Sequence, residues 1–115
     1  MRILVAIAAL ALSGAAARAE TIQPSEAPAH VGSRVTVEGV VSRVHRDARS
    51  GATFIDLGLS AAGKGFTAVI FSADAAKFTD VAALNGKTVQ VTGAVRLYKG
   101  KPEVILKDAG QIAAR

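Results

Sequence analysis

Two stretches of the chain alternate between apolar and polar residues at the two-residue period of a half-buried strand. In "RVTVEGVVSRVHR" (34–46), Val35 and Val37 alternate with Thr36 and Glu38. After Gly39 the phase shifts, so that Val40 and Val44 share a face with Arg43 and His45 opposite. A change of face at a glycine predicts a bulge or sharp bend, and a strand bent in its middle serves two sheets. In "KTVQVTGAVRLY" (87–98), Val89, Val91, Val95 and Leu97 point one way; Gln90, Thr92, Arg96 and Tyr98 point the other. Shorter strand patterns are "ATFIDLGL" (52–59), "FTAVIFS" (66–72), which is apolar on both faces, and "KPEVILK" (101–107). Pro102 has no amide hydrogen to donate and belongs at a strand start or edge. "DARSG" (47–51) reads as a turn-rich loop and "SAAGKG" (60–65) as a flexible connection.

Two segments depart from this period. In "TIQPSEAPAHVGS", Ser25 is a candidate N-cap, Pro28 fits a first turn and Gly32 suits a C-terminal cap, which predicts a short helix over 25–31. In "SADAAKFTDVAALNG", Ser72 is the candidate cap, Asp74 complements the positive end of the helix dipole, and Phe78, Val81 and Leu84 recur every three residues. Asn85-Gly86 ends that helix, and Thr79-Asp80 predicts an interruption within it. "VGSRVTVEGVV" and "NGKTVQVTGAV" also match at an offset of 54, with Gly32 over Gly86, Val37 over Val91 and Gly39 over Gly93. Both copies enter a long strand from a helix end and then bend.

Three strands, a helix and two strands, preceded by a lead-in helix, predict an all-β fold with minor helix. The arrangement is a five-stranded Greek-key barrel of the OB type, with one helix between the third and fourth strands. Gly39 and Gly93 supply the bends that closure needs; a flat meander or a sandwich is the alternative. "VTVEGVVSRV", "FIDLG", "FTAVIF", "GKTVQVTGAVRLYKGKPEVIL" and the ending "AGQI" resemble the OB-fold nucleic-acid-binding domain proteins of bacteria, relatives of tRNA-anticodon-binding and helicase-type OB modules. The resemblance spans about 22–112 and is most specific in "GKTVQVTGAVRLYKGKPEVIL". It implies a binding module without catalysis of its own and leaves the ligand open.

The first 19 residues change the picture of the remainder. Arg2, the apolar run "ILVAIAALAL" and the small residues Ala17 and Ala19 have the layout of a secretory signal cut after Ala19. A single domain over 20–115 in the periplasm or medium follows; a retained membrane anchor is the alternative. Loss of Arg2 and Arg18 lowers the formal charge from +5 to +3, since 12 basic residues then face 9 acidic ones. Cysteine is absent, so the fold holds without disulfides and no thiolate ligand exists.

A charge of +3 makes a polyanion site only if the cations cluster. In an OB barrel, ligands lie across the second and third strands, framed by the first-second and fourth-fifth loops. Arg43, His45, Arg46 and Arg49 belong to one loop region, and Arg96, Lys99 and Lys101 to the other. If both rise on one side, they line a groove for single-stranded nucleic acid or another polyanion. Ordinary solubility of exposed hairpin loops explains the same residues without a site. Stacking surfaces are few: Phe54, Phe66 and Tyr98 are the candidates, while Phe71 and Phe78 read as core. The two histidines and scattered carboxylates show no catalytic or metal-ligand spacing, so no enzyme, metal or cofactor is expected. Asp56, mid-strand among apolar residues, is expected to accept a hydrogen bond from a turn amide. A module of the cell envelope that binds a peptide, glycan or small ligand is the competing reading.

Overall fold

A computed structural model of the chain describes residues 19–58 and 65–115. The expected signal, apart from Ala19, and all but Gly65 of the 60–65 connection lie outside those residues. Among the described residues eight strands form: β1 (Glu20–Ile22), β2 (Arg34–Arg46), β3 (Thr53–Leu57), β4 (Phe66–Ile70), β5 (Thr88–Ala94), β6 (Arg96–Tyr98), β7 (Lys101–Ile105) and β8 (Ile112–Ala114). The sheet order is β6-β7-β4-β3-β2-β5-β8, with β1 alongside β2. The five expected strands are all present; the fourth is divided into β5 and β6. The additions, β1 and β8, are three residues each, too short to carry a period.

The division at Val95 closes the barrel. β5 pairs antiparallel with the first half of β2, from Arg34↔Ala94 to Val40↔Thr88. β6 pairs instead with β7, from Arg96↔Glu103 to Tyr98↔Lys101. Between them, Val95 N donates to the Ser33 carbonyl at 3.0 Å, and the Val95 carbonyl accepts from Gly32 N at 2.8 Å. One continuous segment thus hands the sheet from β2 to β7, which continues in parallel to β4, then β3, then the second half of β2. β2 serves both halves, as its length predicts. Its face changes at Ser42, not at Gly39: the register with β3 shifts between Val41 and Arg43. Val41 is therefore inside and Val40 is 52% exposed.

Val35, Val37, Val41, Ile55, Leu57, Phe66, Ile70, Val89, Val91, Val95, Val104 and Leu106 fill the interior. Two glycines make room for it. A Cβ on Gly93 would collide with Cγ1 of Val104, so β7 crosses β5 at the closest approach its backbone allows. A Cβ on Gly39 would come within 2.6 Å of Pro24 Cγ, in the 3-10 segment Pro24–His30 that places Ala27 in the core. This lead-in is 3-10 rather than α because Pro28 interrupts it, and Gln23, not Ser25, caps it: Gln23 N donates to Glu26 Oε1 at 2.7 Å. The later helix is broken as Thr79-Asp80 predicts, into 3-10 segments Ser72–Lys77 and Val81–Leu84 separated by Asp80 in the left-handed region. Phe71 holds the N-cap position expected of Ser72 and is 42% exposed rather than core. Phe78, Val81 and Leu84 pack on the core, as their spacing predicts.

Arg96 anchors the β6–β7 hairpin through two contacts with Oε2 of Glu103, from Nε and Nη2, both at 2.7 Å. The Glu103 side chain is 9% exposed and that of Arg96 48%. At the tip, Lys99 and Gly100 both have positive φ, the geometry of a two-residue hairpin turn. In the 47–51 loop, Asp47 Oδ2 accepts from Ser50 N at 3.0 Å and Ser50 Oγ at 2.6 Å. These bonds hold the Asp47 carboxyl below its ordinary 3.8.

Three outcomes follow from this framework. Gly93→Ala destabilises by about 1–3 kcal/mol through overpacking, and Val104→Ala in the same chain recovers part of that loss; urea unfolding of both singles and the double gives the coupling. Arg96→Met costs about 2 kcal/mol and Glu103→Gln about 1 kcal/mol, because an unpaired Arg96 reaches water and an unpaired Glu103 does not; equal costs in thermal unfolding would show the pair to be symmetric. A depressed carboxyl stabilises its turn above the ordinary carboxylate value and releases it as pH falls through the folded value. The Ser50 amide resonance therefore titrates with a midpoint below 3.8, and Asp47→Asn abolishes that titration.

Candidate nucleic-acid interface

The register of five strands lays one polar row across the outer face of the barrel. Arg43 on β2 stands opposite Asp56 on β3, Asp56 opposite Thr67 on β4, Thr67 opposite Glu103 on β7, and Glu103 opposite Arg96 on β6. The bulge at Ser42 is the cause: it turns Arg43 and His45 outward while Val44 remains packed on the core. Two pairs along, on the same face, His45 faces Phe54, and the two rings stack with centroids 5.2 Å apart at 22°.

Above this row lies a groove of about 660 Å³. Its walls carry Arg43 from β2 and Tyr98, Lys99 and Lys101 from the β6–β7 hairpin; its floor carries His45, Phe54, Asp56, Thr67 and Glu103. Tyr98 is 53% exposed, with Lys99 Nζ 5.4 Å and Arg96 Cζ 6.0 Å from its ring centre. Asp56 accepts from Thr67 Oγ1 at 2.8 Å, a cross-strand hydroxyl rather than the expected turn amide. Its other oxygen is 3.7 Å from His45 Nε2. Among the described residues Arg43, Lys99 and Lys101 join no ion pair, and Arg96 is held by Glu103.

The two basic loops thus meet, though with fewer residues than expected. Arg43, Phe54, Tyr98, Lys99 and Lys101 share the groove. Arg46 does not: by regular alternation it shares the face of Val44, opposite Arg43 and His45, and its Nε reaches back to the Gly51 carbonyl at 3.4 Å. Arg49 stands exposed in that loop, also outside the lining. Phe66 belongs to the core at 1% exposure, in phase with inward Ala68 and Ile70. Leu97, expected inside, is 53% exposed because the break at Val95 resets the alternation. His45, expected among the groove's cations, lies in it; Asp56, Thr67 and Glu103 were not candidates for it. A partial signal for them existed, since polar residues in mid-strand amid apolar ones mark an outward face over a covered sheet.

A second hollow of about 680 Å³, between the Pro24 and Gly39 regions, includes Glu26 and Glu38 and no basic side chain. Among the described residues, no three His, Asp or Glu side chains are grouped to hold a metal ion, and no helix is long and apolar enough to cross a membrane.

No protein-family model matches the chain, and no curated protein does. Solved structures do. An OBody bound to hen egg-white lysozyme is 20% identical with a TM-score of 0.63, over 84% of this chain and 93% of the other. A protein assigned as an aspartyl-tRNA synthetase from Leishmania major is 16% identical with a TM-score of 0.55, over 84% of this chain and only 20% of the synthetase. A protein assigned as a nucleic-acid-binding lipoprotein from Klebsiella pneumoniae is 19% identical with a TM-score of 0.50, over 80% of this chain and 78% of that one. At these identities the likeness is one of fold, and the fold is OB.

Proposed function

We propose that the chain is an exported, non-enzymatic OB module that binds single-stranded nucleic acid, or a similar anionic oligomer, along the groove between β2 and the β6–β7 hairpin. The observation that carries this reading is the placement of Arg43, Lys99 and Lys101 around the exposed ring of Tyr98 and the half-buried His45–Phe54 stack. Cations without ion-pair partners draw in a phosphate backbone, and ring faces accept bases whatever their identity. The tRNA synthetase and the nucleic-acid-binding lipoprotein of similar fold lend support, as does the expected secretory layout of 1–19 for export. Outside the cytoplasm the ligand would be nucleic acid released to the surroundings or another polyanion of the envelope.

A protein or glycan occupant is the second reading. Asp56 and Glu103 on the floor favour it, because they repel a ligand that is anionic throughout. So does the OBody, an OB fold whose partner is a protein.

Fluorescence anisotropy with labelled oligo(dT) separates the two. Binding weakens with salt at a log–log slope of about −0.7 per phosphate neutralised, and Lys99→Ala with Lys101→Ala flattens that slope by roughly 1.4. Phe54→Ala costs about 1–3 kcal/mol of affinity with the slope unchanged. Absence of salt-dependent binding at low ionic strength would eliminate nucleic acid and leave the protein or glycan reading.

A further inference from the structure

The floor of the groove is chemically unlike its walls. The walls offer cations and the floor offers acceptors. Asp56 is the central one: its side chain is 17% exposed, among the described residues Oδ1 accepts a single bond, from Thr67, and Oδ2 is too far from His45 Nε2 at 3.7 Å to receive one. Arg43 stands opposite Asp56 in register, yet the two form no ion pair. A carboxylate left half-satisfied in a sheltered position favours a ligand that brings N–H donors to it. A base on a phosphodiester strand brings donors to the floor and charge to the walls in one unit.

The edges of the bases differ in how they meet a carboxylate, which has acceptors only. Adenine and cytosine each place a ring-nitrogen acceptor beside the amino donor, and thymine and uracil flank their one N–H with two carbonyls. These acceptors repel the second carboxylate oxygen. Guanine alone sets two donors side by side, N1–H and the N2 amino group, matching both oxygens at once. Phe54 and Asp56 are two residues apart on one face of β3, about 7 Å along the strand. A purine lying across the His45–Phe54 pair covers that distance when one hydrogen bond is added beyond its edge.

We infer that the groove selects guanine, and that Asp56 is the residue that determines the choice. The inference rests on the single-strand reading of the site and adds a base preference to it.

Short thymidine oligomers carrying one central guanine, inosine, adenine or cytosine test it, being too poor in guanine to associate with one another. The guanine oligomer binds about tenfold tighter than all-thymidine, the range of a bidentate contact. Inosine, which lacks the N2 amino group, loses most of that gain. In Asp56→Asn, the guanine-to-thymidine ratio falls to near one. Equal, salt-dependent binding of all the oligomers overturns the selectivity and leaves the single-strand reading standing. No binding of any oligomer removes both. Selectivity that survives in Asp56→Asn overturns the role of Asp56. The guanine–inosine comparison uses the unaltered protein, so it decides the matter however the variant folds.

Discussion

The barrel hangs on the crossing of β7 over β5 at Gly93. Because position 93 has no side chain, Val104 enters the interior against the β5 backbone, and the two halves of the sheet meet there. The handover at Val95 depends on that approach: β5 stays with β2, and β6 is free to turn to β7. From the handover comes the hairpin that walls the groove, and from the same closure comes the parallel pairing of β7 with β4 that completes the polar row. A core contact made by a methyl group thus decides where Tyr98, Lys99 and Lys101 stand.

The outer face gathers charge of both signs into one row. The row Arg43, Asp56, Thr67, Glu103, Arg96 carries a cation at each end and two carboxylates between them, and the pairing is unequal. Glu103, nearly buried, takes Arg96 for structural ends, since a desolvated carboxylate without a partner is costly. Asp56 takes only a hydroxyl, and Arg43 takes nothing among the described residues. On the proposed reading, three cations at the walls and an under-occupied acceptor on the floor would let the surface discriminate by pattern, where a uniformly basic one would only attract.

Most of the architecture was legible in the chain because barrel strands with one wet face obey a strict period. Val35, Val37, Val89 and Val91 declared both long strands, and the three-residue recurrence of Phe78, Val81 and Leu84 declared the broken helix. Errors gathered where the period is reset. A bulge adds one residue without any sequence mark, so its position at Ser42 rather than Gly39 exchanged the roles of Val40 and Val41. The break at Val95 likewise sent Leu97 outward. Tyr98, Lys99 and Lys101 were readable as a hairpin rim. Asp56, Thr67 and Glu103 were not readable as a row, because strand-to-strand register is a long-range property that no local window contains.

The two-residue turn at Lys99 and Gly100 has a consequence of its own. It lies beyond the last paired residues, Tyr98 and Lys101, so its length is uncoupled from the register that seats Val95 and Val104. Residues inserted there would raise the lip of the groove while the interior kept its packing. Recognition on this scaffold is therefore open to change by growth at a single tip, and a lineage could exchange one ligand for another while inheriting the same barrel.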